Sequence, residues 1–334
     1  MTVPSRPDTS EVIVMDRILV AAIRELNDAH RADIAEAAKR HGFTALFFDS
    51  VDEALPQLSE AEVIFGQSVR LSQNAPKLRW LCSPSAGVEQ FTAPGAFLNP
   101  DAVLTNSSGA YGVTIAEHVV MVTLEMLRKQ PEYDRIVAAK QWRRDLPVRS
   151  VKDSRVTFLG TGDIGREAAR RFRAFDPASI VGVNHSGSDR SGLFDRVINV
   201  NELDAALENA EILVISLPKT QETVRLLDKR RLSLLPDGAL IVNVGRGAVI
   251  DETALAMELR AGRLLAALDV FEQEPLPGGS PLWGCPNLLI TPHISGNMTL
   301  AYTKNRMVSM FLEDFENYCA GRPLKHRVDL KKGY

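Results

Sequence analysis

Val156-Thr-Phe-Leu-Gly160-Thr-Gly162-Asp-Ile-Gly165 runs from an apolar strand through a G-x-G-x-x-G turn into an amphipathic stretch. Each glycine has its own physical reason. Gly160 permits the tight turn, Gly162 lets backbone approach a pyrophosphate, and Gly165 lets helix and strand pack closely. Thr161, Asp163 and Ile164 fill the positions between. The amides of Asp163 and Ile164, at the positive end of the helix dipole, would face the phosphates. The pattern predicts a dinucleotide site; the plainer alternative is a structural turn between strand and helix.

In such folds the second strand ends, about twenty residues further on, in an acid that binds the ribose 2′-hydroxyl. Here that strand ends Val181-Gly-Val183-Asn184-His185-Ser186, with Arg190 shortly after. A carboxylate would repel a 2′-phosphate, whereas Asn184, His185, Ser186 and Arg190 all have donors to offer it. The expectation is a preference for NADP(H), with NAD(H) possible; the alternative is an exposed polar loop with relaxed cofactor choice.

Apolar runs alternate with amphipathic stretches on both sides of this turn, the pattern of parallel sheets covered by helices. Towards the C-terminus the strands read 155–159, 179–183, 211–216, 239–243, 264–268 and 287–290, six in all. Helices are read at 164–175 and 252–261, and a last one at 300–320 is expected to fold back onto the first domain. Towards the N-terminus the strands read 17–22, 44–48, 62–65, 78–82 and 103–105, with a helix at 29–41. A long apolar helix over 113–129 reads as a buried spacer, followed by a polar segment containing Trp142.

At 334 residues the chain is long for one core and comfortable for two. A net charge of -3 with both signs interspersed leaves no basic face for nucleic acid. Cys82, Cys285 and Cys319 are far apart, which suits a reducing compartment and offers neither a disulfide framework nor a metal site. Residues 1–15 lack the apolar core of a signal peptide and read as a flexible tail. No run approaches the ~20 apolar residues of a membrane span. The expected location is the cytoplasm.

Ligands of doubly wound sheets gather beyond the carboxyl ends of the strands. There the chain places Leu217-Pro218, Val242-Asn243-Val244-Gly245-Arg246-Gly247, Asp269-Val-Phe-Glu-Gln-Glu274-Pro275 and Thr291-Pro292-His293. Reduction of a 2-keto acid needs a planar cation for the substrate carboxylate, a proton donor for the carbonyl oxygen, and a carboxylate to orient that donor. Arg246, His293 and Glu274 suit these roles. Plainer readings stand beside them: a strand-end arginine, a structural histidine, a loop acid. Asp269 either binds the nicotinamide amide or caps its strand.

The motifs GTGDIG, NVGRGAVID, ALDVFEQEPLP and TPHIS, in this order and spacing, resemble the D-isomer-specific 2-hydroxyacid dehydrogenases, in particular the glyoxylate/hydroxypyruvate reductase-like branch. The resemblance implies an α/β fold of two doubly wound parallel-sheet domains with the active site in the cleft between them. A flavodoxin-like substrate domain (16–108 with 299–334) would accompany a Rossmann cofactor domain (109–298). It implies Arg246, Glu274 and His293 as the catalytic set, and Ser85-Ala86-Gly87-Val88 as the loop whose amides help hold the substrate carboxylate. Pro218 and Thr223 would be cofactor contacts, with Leu217 and Val244 beside them, and Asp269 the nicotinamide-side acid. A homodimer acting on a small 2-keto or 2-hydroxy acid follows, with neither membrane nor metal. The usual glycine before the first cofactor strand is absent from Lys152-Asp153-Ser154. A second reading is a nucleotide-sensing protein, since the family also includes corepressors.

Overall fold

The structure, a computed structural model, describes residues 17–330. The tail expected over 1–15 lies outside them. The described residues divide into two compact units, one of residues 17–84 with Pro94–Thr105 and Phe311–Lys325, the other of Ser85–Ala93 with Asn106–Met310 and residues 326–330.

The first unit contains β1 (Arg17–Ala22), α1 (Asp28–Arg40), β2 (Phe43–Phe48), α2 (Val51–Ala54), β3 (Ala61–Gly66), α3 (Val69–Gln73), β4 (Trp80–Cys82) and β5 (Val103–Thr105). Its five strands are parallel in the flavodoxin-like order β2-β1-β3-β4-β5. Asn27 caps α1, its side chain accepting from the His30 amide while His30 reaches back to the Asn27 amide. The core is completed by residues 311–318, far along the chain. Phe311 stacks on Phe65 with ring centroids 4.3 Å apart and on Trp80 at 5.4 Å. Tyr318 donates to Glu62, which also takes two bonds from Arg17.

The second unit contains α4 (Gly112–Leu127), α5 (Gln130–Ala138), β6 (Arg155–Leu159), α6 (Asp163–Arg173), β7 (Ser179–Asn184), β8 (Arg196–Asn199), α7 (Leu203–Leu207), β9 (Ile212–Ile215), α8 (Lys229–Leu234), β10 (Leu240–Asn243), α9 (Glu252–Arg260), β11 (Leu265–Leu268), β12 (Leu288–Ile290) and the start of α10 (Ala301–Cys319). The sheet has seven parallel strands, not six, in the order β12-β11-β10-β9-β6-β7-β8. The extra strand is β8, an edge strand in which Ile198 is the one buried residue, so no apolar run marks it. The polar segment after residue 129 is likewise a helix, α5, which buries none of its residues. The reversal of strand order falls at β6, where doubly wound sheets bind dinucleotides.

The apolar helix α4 packs along α6 and buries Ile115, Val119, Val122 and Met126. Among the described residues no helix is long and apolar enough to cross a membrane. None of their His, Cys, Asp and Glu side chains group to hold a metal ion.

Candidate active site

The turn after β6 has the form its glycines predict. Gly160 lies at φ +102°, where a Cβ would also press on Ser216, and a Cβ on Gly165 would stand 2.1 Å from the Gly160 carbonyl oxygen. Around Gly162 a Cβ would meet nothing within 4 Å. No side chain caps the start of α6, so its first amides are not taken by an N-cap side chain. Residues 160–165 therefore fit a dinucleotide. Asp163 turns its carboxylate to the Gly112 amide at the start of α4, and burial pushes its pKa up.

At the tip of β7, Asn184 donates to the Thr161 hydroxyl at 2.7 Å and to the Ser188 carbonyl at 2.9 Å, while its own oxygen accepts from the Gly187 amide and from Ser186. Asn184 thus organises the loop. His185 pairs with Glu222 at 3.0 Å, both exposed, and Arg190 is exposed. The nearest acid in sequence, Asp189, accepts from the Ser191 amide and hydroxyl of its own turn. Leu217 is partly buried and Val244 buried. The Thr223 hydroxyl donates to the Pro218 carbonyl at 2.7 Å, closing the turn after β9.

Beyond β10, β11 and β12 the edge is made of side chains. Buried Asn243 accepts from the Gly245 amide and donates to the Arg246 carbonyl, each at 3.0 Å, folding the backbone so that Arg246 projects. Gly247 then packs directly on the backbone of Phe271; a Cβ there would stand 1.9 Å from it. The Phe271 amide donates to Glu274 Oε1 at 2.9 Å, and Glu274 Oε2 meets His293 Nδ1 at 2.6 Å. Arg246, Glu274 and His293 are thereby linked through one backbone contact and two hydrogen bonds. His293 has a left-handed φ of +53° and its amide donates to the Asp269 carbonyl.

Asp269 is 1% exposed. Its carboxylate accepts from the Thr291 hydroxyl at 2.6 Å and from the Ile294 and Ser295 amides at 2.9 and 3.0 Å. It braces the loop that carries His293. His118 of α4 stands behind, its Nε2 3.3 Å from the Thr291 hydroxyl. Burial pulls the His118 pKa down, against the raising effect of Asp269 and Glu125.

The loop 85–88 closes on itself and on its neighbours: Gly87 donates to Ser85 Oγ, Asn106 to the Ala86 carbonyl, and Ser107 to the Ser85 carbonyl. Glu89, just beyond it, bonds Arg246 Nε at 2.6 Å. Burial raises the pKa of Glu89, but the bond and charge of Arg246, with Lys219 nearby, hold it below the ordinary glutamate range. Glu89, Asn243 and His118 went unmarked in the sequence. Their one signal is proximity to motifs, two residues after SAG, three before Arg246, and within the apolar helix.

A nicotinamide-dinucleotide oxidoreductase is the class that this sheet and edge define. The family model described as "D-isomer specific 2-hydroxyacid dehydrogenase, NAD binding domain" matches residues 120–295. D-3-phosphoglycerate dehydrogenase of Archaeoglobus fulgidus is 28% identical over 81% of this chain, which spans about half (51%) of that enzyme's length. Glyoxylate/hydroxypyruvate reductase B of Serratia proteamaculans is 30% identical over 79% of this chain and 84% of its own. Among solved structures, the NADPH-dependent glyoxylate/hydroxypyruvate reductase of Sinorhizobium meliloti, in complex with NADP and sulfate, superposes with a TM-score of 0.79 at 26% identity, covering 96% of this chain and 100% of its own. The chain belongs to the D-isomer specific 2-hydroxyacid dehydrogenase family, nicotinamide-dependent oxidoreductases that act on CH–OH groups.

Proposed function

We propose that the protein is an NADPH-preferring reductase of small 2-keto acids, with glyoxylate and hydroxypyruvate as first substrates. The observation that carries this reading is the 2.6 Å His293–Glu274 pair on the strand edge that also carries Arg246. Arg246 holds the substrate carboxylate, assisted by backbone amides of Ser85 and Ala86; the Gly87 amide, counted with them in the sequence, is given to Ser85 Oγ. Reduced nicotinamide, when bound, supplies a hydride to C2. His293 donates Nδ1–H to Glu274, which leaves Nε2 to hold the proton that passes to the carbonyl oxygen. Glu274 in turn is fixed by the Phe271 amide. One hydride and one proton convert the keto acid to the hydroxy acid.

Residues 160–165, with Leu217, Pro218, Thr223 and Val244, would hold the cofactor, and Asp269 would shape the nicotinamide end by bracing its loop. Absence of an acid from the β7 tip, with the exposed Arg190 beside it, favours the 2′-phosphate of NADP(H). The Asn184 amide and the Ser186 hydroxyl are spent within the loop and His185 on Glu222, so Arg190 is the donor left to offer it. The Sinorhizobium enzyme, solved with NADP, agrees with that preference. The experiment is a panel of 2-keto acids against NADPH and NADH, followed by loss of reduced-nicotinamide absorbance. No turnover of any member, with cofactor binding retained, would favour the sensing role and sink the enzyme. A clear NADH preference would sink the cofactor choice alone.

A cytoplasmic homodimer completes the proposal. Trp142 is 96% exposed and Val137 67% exposed, apolar surface that a second copy would cover. Sedimentation at monomer mass would refute it.

A further inference from the structure

The geometry points to Glu89 as the positioning residue of the Arg246 clamp, holding the guanidinium by Nε so that its Nη edge is left for the substrate carboxylate. This rests on the 2-keto acid reading above. A guanidinium can grip a carboxylate bidentately along the Nε/Nη2 edge or the Nη1/Nη2 edge. Glu89 Oε1 accepts from Nε at 2.6 Å, which closes the first edge. The Gly245 carbonyl accepts one Nη1 proton at 2.8 Å. Gly87 lies directly against Nη2, where a Cβ would stand 2.2 Å away. Three groups therefore fix the plane of the guanidinium without using up its Nη donors.

Glu89 opens a short 3-10 turn, Glu89–Phe91, that follows the 85–88 loop without a break. The segment whose amides would receive the substrate carboxylate thus also orients the cation that receives it. The loop that offers amides and the residue that orients the cation are consecutive in the chain. A free arginine side chain has many rotamers to give up on binding; a braced one has already lost them. The charged groups that face Glu89 are Arg246 and Lys219.

A competing role is that the Glu89 carboxylate stands in for the substrate and must be displaced by it. The two roles predict opposite signs. If Glu89 positions Arg246, Glu89→Ala raises KM for glyoxylate about tenfold with a smaller change in kcat, and weakens oxalate binding, read by calorimetry, by a similar factor. Glu89→Gln, which keeps the acceptor and removes the charge, restores most of the loss. If Glu89 is a placeholder, both variants lower KM and tighten oxalate, which overturns the proposal, as does an unchanged KM. Should Glu89→Ala fail to fold, Glu89→Asp withdraws the carboxylate by one methylene, and KM must rise several-fold. Turnover in the parent protein is a separate readout. A parent that reduces no 2-keto acid yet loses oxalate binding on Glu89→Ala keeps the clamp and loses the enzymatic reading.

Discussion

Beyond β6 the edge of the second sheet is built from backbone and space, whereas beyond β10, β11 and β12 it is built from side chains. On the first side Gly160 takes a left-handed turn, Gly162 leaves its surroundings empty, and α6 begins without a side-chain cap. On the second, each segment that carries a site residue is held by a side chain: Asn243 folds the Arg246 turn, Glu274 holds His293, and Asp269 holds the strand end from which His293 leaves. The difference teaches how one edge serves two purposes. On the proposed function, a long anionic ligand would be received by omitting side chains, and proton chemistry prepared by immobilising them.

The largest test of that division is His293→Ala. Turnover should fall about 10²–10⁴-fold, with NADPH affinity by fluorescence titration little changed. Equal losses of turnover and affinity would erase the distinction. Gly165→Ala should do the reverse. Its new Cβ meets the Gly160 carbonyl oxygen at 2.1 Å, so the turn must shift, at a cost of about 1–3 kcal/mol in urea unfolding and with weaker NADPH binding. Wild-type stability and affinity in this variant would mean that the glycine spacing does not shape the phosphate site.

A smaller effect sharpens the side-chain half. The His118 pKa is depressed in the folded protein, chiefly by burial. Between its folded and unfolded values the unfolded chain takes up a proton that the folded chain refuses. Stability from this group is therefore full above the ordinary value of about 6.5 and declines as pH falls below it, by at most about 1.4 kcal/mol per pH unit. His118→Gln should flatten the acid side of the stability–pH curve; an unaltered slope would remove His118 from the Asp269–Thr291 brace. The smallest effect concerns a single backbone position before β6. Asp153 sits at φ +61°, a conformation glycine adopts without strain. Strain relief of about 1–3 kcal/mol against a chain-entropy loss of about 0.4–1 kcal/mol makes Asp153→Gly stabilising by about 1 kcal/mol in thermal melts. A destabilised variant would show that Asp153 contributes a bond of its own.

Much of the fold was legible because the strands that build the two cores are short apolar runs, and burial on both faces of a parallel sheet demands them. The misses have the converse cause. β8 lies at a sheet edge with Ile198 alone buried, and α5 buries nothing, so neither leaves a hydrophobic period to read. At the site, Arg246, Glu274 and His293 were legible as residues because motif spacing puts them beyond strand ends. Their supports were not. Glu89 lies 157 residues from Arg246 in the chain, and pairing across that separation has no local signature. Asp269 was legible as an acid near a strand end, but the three bonds that occupy its carboxylate appear only once β11 and β12 lie side by side.

The aromatic stack that closes the first unit has a consequence for synthesis. Phe65 and Trp80 are made early, whereas Phe311 and Phe315 emerge roughly 200 residues after Thr105. At ribosomal rates of about 5–20 residues per second, the first sheet waits on the order of 10–40 s for the rings that cover it. During that interval its apolar face is open to solvent and to chaperones, and the later sheet receives its last strand, β12, before Phe311 is made. The half of the protein that leaves the ribosome first is thus the half that matures last.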